Sequence, residues 1–292
     1  MEQEHEHYYV PPHSYWPIVG AIGLGFFATG VVNTLQSNPA GGWLFLIGAF
    51  ILVGMMFGWF RDVIVESRSG LYGAQMDRSF RMGMAWFIFS EVMFFVAFFG
   101  ALFYARTLIM PWLGGEGHRG EMTNAVLWPG FEAVWPLLKN PDPELFVGPK
   151  EVIGAWGLPA INTAILLTSG VTITWSHWAL KKEHRAQLCF SLFLTAALGC
   201  VFLYLQAQEY IHAYHELGLT LNSGIYGSTF FMLTGFHGAH VTIGTLMIII
   251  ILGRCLVGHF SPKHHFGFEA VAWYWHFVDV VWLFLFIFVY WL

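Results

Sequence analysis

Between His7 and Phe60 the chain carries no Asp, Glu, Lys or Arg. That run constrains the fold more than any other feature, because it exceeds the roughly 20 residues one helix needs to cross a bilayer core. Asn38-Pro-Ala-Gly-Gly42 breaks it, which predicts two spans, about Trp16–Gln36 and Gly42–Phe60, joined by a tight turn. Gly20, Gly23, Gly25 and Ala28 give the first span small residues at near-helical spacing, so a neighbouring backbone can approach closely. Trp16 and Trp43 stand where interfacial aromatics belong.

Composition extends this to the whole chain. Only 11% of residues are charged and 57% are hydrophobic, against about 25% charged in a soluble domain. The expectation is an all-α polytopic membrane protein with no soluble domain. The stretch Met1-Glu-Gln-Glu-His-Glu-His7 lacks the basic start of a signal peptide, so the first span is expected to act as its own insertion signal. The net charge of −5 is small, and nothing in it points to nucleic acid.

The third span, Met82 to Ala105, holds one charge, Glu91. At 1.5 Å per residue Glu91 lies about 14 Å along the axis, near mid-membrane. A carboxyl there either stays protonated or finds a partner. It is expected as a neutral group hydrogen-bonded between packed helices, with a proton-handling role as the sharper alternative. Next comes a polar segment, about 111–153, with six of the twelve prolines and six acids, which predicts a loop with at most short helices. Its Trp112, Trp128 and Trp135 suggest that it lies against something apolar. Four further spans are predicted at about Ala155–Leu180, Gln187–His212, Ser223–Leu252 and Phe268–Trp291. Seven helices result, with termini on opposite sides.

Arg61, Arg68, Arg78, Arg81, Lys181, Lys182, Arg185, Arg254 and Lys263 fall in connectors on one side, and Arg106, Arg119, Lys139 and Lys150 on the other. The positive-inside rule then places the N-terminus in the cytoplasm or matrix.

Fourteen histidines invite a metal reading. His212/His215 and His237/His240 are i, i+3 pairs, and His264-His265 is an adjacent pair. Their number and depth match neither a histidine-box oxygenase nor a haem-bridging bundle, so hydrogen-bonded packing is expected and no metal in this chain. His276 and Asp279, also i, i+3, are expected as a buried polar pair that fixes helix orientation. Glu209, near a helix end, is expected to be solvated or interfacial. Cys189, Cys200 and Cys255 have no metal-ligand spacing and read as small core residues. Trp59, Arg61, Glu66 and Arg254 share the basic interface, where an Arg beside aromatics suits a lipid phosphate, although plain positive-inside anchoring explains them equally.

The approach to the last span reads His264-His-Phe-Gly-Phe-Glu-Ala-Val-Ala-Trp-Tyr-Trp-His-Phe-Val-Asp-Val-Val-Trp-Leu-Phe284. With Trp59-Phe-Arg-Asp-Val-Ile64, Phe87-Ile-Phe-Ser-Glu-Val-Met-Phe-Phe95, Leu205-Gln-Ala-Gln-Glu-Tyr210 and Thr234-Gly-Phe-His-Gly-Ala-His240, it resembles the third-subunit family of the haem–copper cytochrome c oxidases. The likeness covers nearly the whole chain. It implies two helical bundles, residues 1–66 and 67–292, with a V-shaped cleft holding phospholipids. It also implies a non-catalytic chain without redox centres, beside subunits I and II, with haem a and copper in those partners and cytochrome c as electron donor. Glu91 matches the family's intramembrane, carbodiimide-reactive glutamate. Trp59, Glu66 and Arg254 match positions near lipid head groups, and His5, His7 and His13 a segment near the proton entrance of subunit I. Val65 departs from the basic residue of animal members, which weakens the lipid assignment there. The length of the 111–153 loop resembles some bacterial members and favours a bacterial inner membrane. Rival readings are the equivalent quinol-oxidase subunit, which usually lacks the first two helices, a stand-alone histidine-rich metal enzyme, and a proton-coupled transporter using Glu91.

Overall fold

The computed structural model describes residues 9–292, and among the described residues there is no strand. A helix satisfies its own backbone within one segment, which lipid requires. The elements are α1 Trp16–Leu35, α2 Gly41–Arg68, α3 Ala74–Tyr104, α4 Met110–Leu113, α5 His118–Val126, α6 Leu158–Lys181, α7 Arg185–His215, α8 Ile225–Leu256 and α9 Phe266–Leu285. Among the described residues seven segments are long and apolar enough to cross a membrane: α1, α2, Ala74–Leu113, α6, α7, α8 and Phe266–Trp291.

Two spans outrun their predicted ends the furthest. The helix of α2 continues through Arg61, Asp62, Glu66 and Arg68, because charge limits the depth of a helix in lipid and not its backbone geometry. It stops where Gly70 takes φ +71°, the left-handed conformation that closes a helix end. α3 runs through a π-helical turn, Ala105–Ile109, into α4, and Pro111 sits in the first turn of α4, where a missing N–H costs little.

The chain forms two compact units, Met1–Met82 and Gly83–Leu292, divided inside α3. In the first unit α1 and α2 pack as a hairpin. A Cβ on Gly30 would collide with the backbone of Phe45, and one on Gly48 with the backbone of Phe27. Each glycine lets the backbone of the other helix approach closely, and the Phe27 and Phe45 rings pack beside them at 4.7 Å. Gly23 meets Ile51 and Leu52, but Gly25 faces open space. Trp16 Nε1 donates to Asp62 Oδ2 at 2.8 Å and ties the start of α1 to α2.

In the second unit α6, α7, α8 and α9 close a ring in which each packs on the next and α9 returns to α6. Trp275, Trp282, Phe202, Phe230 and Phe268 fill its centre, all fully buried. Small hydroxyls line the α6–α7 seam: Thr172 Oγ1 and Thr195 Oγ1 lie 2.8 Å apart, and Ser176 Oγ donates to Ser191 Oγ at 2.8 Å. Such pairs join helices where burying apolar surface gains nothing against lipid. From Gly83 onward α3 packs on this ring through Phe94 against Phe236 and Phe95 against Phe277.

The Pro-rich segment between α4 and α6 contains only the short α5, and it covers the α7–α8 connection of its own chain. Asn140 Nδ2 donates to Phe146 O at 2.9 Å and Ser223 O at 3.1 Å, and Lys150 N donates to Leu217 O at 2.8 Å. Trp135 meets Tyr226 edge-on at 5.5 Å. Asn140→Ala removes both amide donors and is expected to loosen this cover by about 1.5 kcal/mol, roughly tenfold in local opening. Limited proteolysis between residues 127 and 157 should speed up accordingly, and an unchanged rate would mean that other contacts hold the segment.

Candidate functional site

The intramembrane carboxyl has a partner. Glu91 on α3 places Oε2 3.0 Å from His240 Nε2 on α8. The other ring nitrogen, His240 Nδ1, donates to Phe236 O at 2.6 Å. With that proton committed, a single hydrogen must lie between Nε2 and the carboxyl, either as Glu91 O–H donating or as imidazolium N–H donating. Both forms leave the pair neutral overall, which is what an apolar site tolerates. Phe95 meets the imidazole edge-on at 5.0 Å, and Tyr274 stacks on it at 6.3 Å. The Glu91 side chain keeps 24% exposure, so the carboxyl is reachable from the outer face of the helices.

A second acid lies in α9. Asp279 Oδ2 is 3.5 Å from His276 Nδ1, and His276 Nε2 is 3.2 Å from Thr174 Oγ1 on α6. Gly170 makes room for the carboxyl, since a Cβ there would press on Asp279 Oδ2. Asp279 is buried while His276 is half exposed, and both line one surface cavity between α6 and α9.

A sequence model described as cytochrome c oxidase subunit III matches residues 5–117 and 144–292. The chain belongs to this family. It is 42% identical to cytochrome c oxidase subunit 3 of Marchantia polymorpha over 294 aligned positions, covering 100% of this chain and 98% of that protein. The corresponding protein of Hippopotamus amphibius is 42% identical over 290 positions, with 99% and 98% covered, and that of Heterololigo bleekeri 40% over 285, with 97% of each. Residues 118–143, left out of the subunit III match, fall within the Pro-rich loop singled out from sequence.

The remaining predicted positions of this subunit III chain are distributed between its units. In the first, Trp59, Glu66 and His13 line one cavity of about 520 Å³ together with Trp16, Asp62 and Tyr72, while Arg61 is exposed on α2. Tyr72 O–H donates to Glu66 Oε2 at 2.7 Å. Burial first, then the hydrogen bond and charge of Glu66, push the Tyr72 phenol well above its usual value, so it remains a donor. His5 and His7 lie outside the described residues. In the second unit the Arg254 guanidinium sits over the Phe260 ring at 4.3 Å.

Glu209 corrects an expectation. It is 1% exposed, not solvated: Tyr290 O–H donates to Oε1 at 2.7 Å and Gln206 Nε2 donates to the same atom at 3.0 Å. A place near a helix end suggests water, but the loop after α4 and the last turn of the chain cover that end. The i, i+3 pairing of Gln206 with Glu209 was the signal available in sequence. Cys200 is exposed, not a core residue, while Cys255 is buried, and the three cysteines are free. The i, i+3 histidines do not act in pairs. His237 turns inward, its Nε2 3.2 Å from Val278 O and its ring against Trp282, while His240 turns to α3.

Proposed function

We propose that this chain is the non-catalytic third subunit of a proton-pumping cytochrome c oxidase. Family membership over both matched segments is the observation that carries the reading. Electrons pass from cytochrome c to oxygen through haem a and copper held by subunits I and II, and this chain packs beside subunit I and stabilises it during turnover. The packing of its own histidines supports placing those groups elsewhere. His237 is enclosed by Phe202 and Trp282, and His240 spends both ring nitrogens on Phe236 and Glu91, so neither offers an axial position to a haem.

Three finer assignments belong to the same reading. Trp59, Arg61 and Glu66 in the first unit and Arg254 in the second contact phospholipid head groups, supported by their place at the basic ends of α2 and α8. The stretch bearing His5, His7 and His13 supports proton uptake by subunit I. The N-terminus is cytoplasmic and the C-terminus periplasmic, in a bacterial inner membrane, supported by the nine-to-four division of Lys and Arg and by the loop outside the family match.

The test is affinity purification of the tagged chain from its membranes in mild detergent. It is expected to bring down larger chains whose reduced-minus-oxidised spectrum carries haem, with oxygen reduction driven by reduced cytochrome c. A chain that migrates alone, with redox metal of its own, would sink the proposal.

A further inference from the structure

At one end of the second unit, three side chains from two helices converge outside the Glu91 site. His177 lies one turn before the end of α6, His265 precedes the first residue of α9, and Glu269 is one turn into α9. His177 Nε2 is 3.2 Å from His265 Nε2 and 3.4 Å from Glu269 Oε1, and His265 Nε2 is 3.2 Å from Glu269 Oε1. The three donor atoms form a nearly equilateral triangle. A tetrahedral zinc ion at about 2.0–2.1 Å from its ligands separates neighbouring donor atoms by about 3.3 Å. The triangle therefore has the dimensions of one face of that tetrahedron.

The surroundings orient the ligands. His265 Nδ1 donates to Ser261 O at 3.1 Å, which fixes the tautomer and leaves Nε2 its lone pair, the arrangement that carbonyl partners impose on metal-binding imidazoles. The His177 ring is held between His265 at 5.3 Å and Phe268 at 5.6 Å. His265 and Glu269 are buried and His177 is half-buried. A proton on His177 Nε2, or a cation among the three atoms, would satisfy these contacts, since His265 Nε2 is fixed as an acceptor. Lys181, one turn beyond His177, opposes a cation, whereas the C-terminal end of α6 favours one.

We propose that His177, His265 and Glu269 bind one divalent ion of the zinc class, with water in the fourth position, and that the ion clamps the start of α9 to the end of α6. Two nitrogens and one oxygen suit zinc over calcium or magnesium, which take oxygen ligands. The proposal stands apart from the oxidase reading, and its test uses no oxidase activity.

The full chain, purified in detergent and stripped with a chelator, is titrated with cobalt(II) and then zinc. The expected result is the visible absorption of tetrahedral cobalt, saturating at a single equivalent and displaced by zinc, with a zinc-dependent rise in the unfolding temperature. His265→Ala and Glu269→Gln should each weaken binding roughly 100-fold or more. His264→Ala, at the exposed neighbouring histidine, should leave it unchanged. Glu269→Gln is nearly isosteric, so it carries the test if His265→Ala fails to fold. No tetrahedral band, or a band that survives Glu269→Gln, would overturn the site and leave the cluster as a proton-sharing contact.

Discussion

Trp275→Ala is expected to destabilise the second unit by about 3–5 kcal/mol, while Trp273→Ala, two residues away, should cost under about 1 kcal/mol. Trp275 is fully buried and Trp273 is 37% exposed. The Trp275 indole rests against α7 and α8 where Gly199 and Gly244 leave space for it, since a Cβ at either position would press on the ring. Its Nε1 donates to Ser169 Oγ on α6 at 2.9 Å, so one side chain touches all three other helices of the ring. Truncation loses those dispersion contacts, leaves a cavity the helices cannot close without sliding, and removes the donor to Ser169 Oγ, which keeps only its own bond to Leu166 O. Trp275→Phe keeps most of the volume and should recover more than half of the loss. Thermal unfolding in detergent, followed by helical circular dichroism, reads the effect. Equal shifts for Trp273→Ala and Trp275→Ala would mean that the ring is not organised around this residue.

That contrast shows what the sequence could and could not reveal. Span number and position were legible because length and missing charge are properties of the bilayer crossing itself. Which face of each helix points inward was not. Trp273 and Trp275 lie nearly opposite on a helix, yet both look alike in a run that is apolar all round, since lipid tails are as apolar as a protein core. The inner faces are marked instead by small and hydroxylic residues, such as Ser169, Thr172, Ser176, Gly199 and Gly244, whose pattern is weak until a partner helix is known. Long-range pairing was equally hidden: Glu91 could be expected to find a partner, but the 149 residues separating it from His240 leave no local signal. Glu209 failed for a related reason, because its burial is created by Tyr290 from the far end of the chain.

Glu91→Gln is expected to abolish labelling of this chain by a hydrophobic carbodiimide while leaving oxygen reduction by the assembled complex largely intact. The reagent needs a protonated carboxyl that an apolar molecule can reach. Glu91, Glu209, Glu269 and Asp279 are the buried or half-buried acids on the described helices of the second unit, and exposure separates them. The Asp279 side chain keeps 8% exposure, that of Glu269 11%, and Glu209 at 1% is enclosed by Tyr290 and Gln206, whereas the Glu91 side chain keeps 24%. Peptide mapping should therefore place the label on α3. The amide introduced by Glu91→Gln would still donate to His240 Nε2, so stability should change by less than about 1 kcal/mol. Glu91→Ala leaves that buried nitrogen without a donor and should cost about 1–3 kcal/mol. The two variants thus separate the hydrogen bond, which only alanine breaks, from the reactive acid, which both remove. Label found on α7 would move the reactive carboxyl to Glu209, and label on α9 to Glu269 or Asp279. Loss of most oxygen reduction in an assembled Glu91→Gln complex would make Glu91 part of the chemistry itself, and the view of this chain as a support for its neighbours would fall with it.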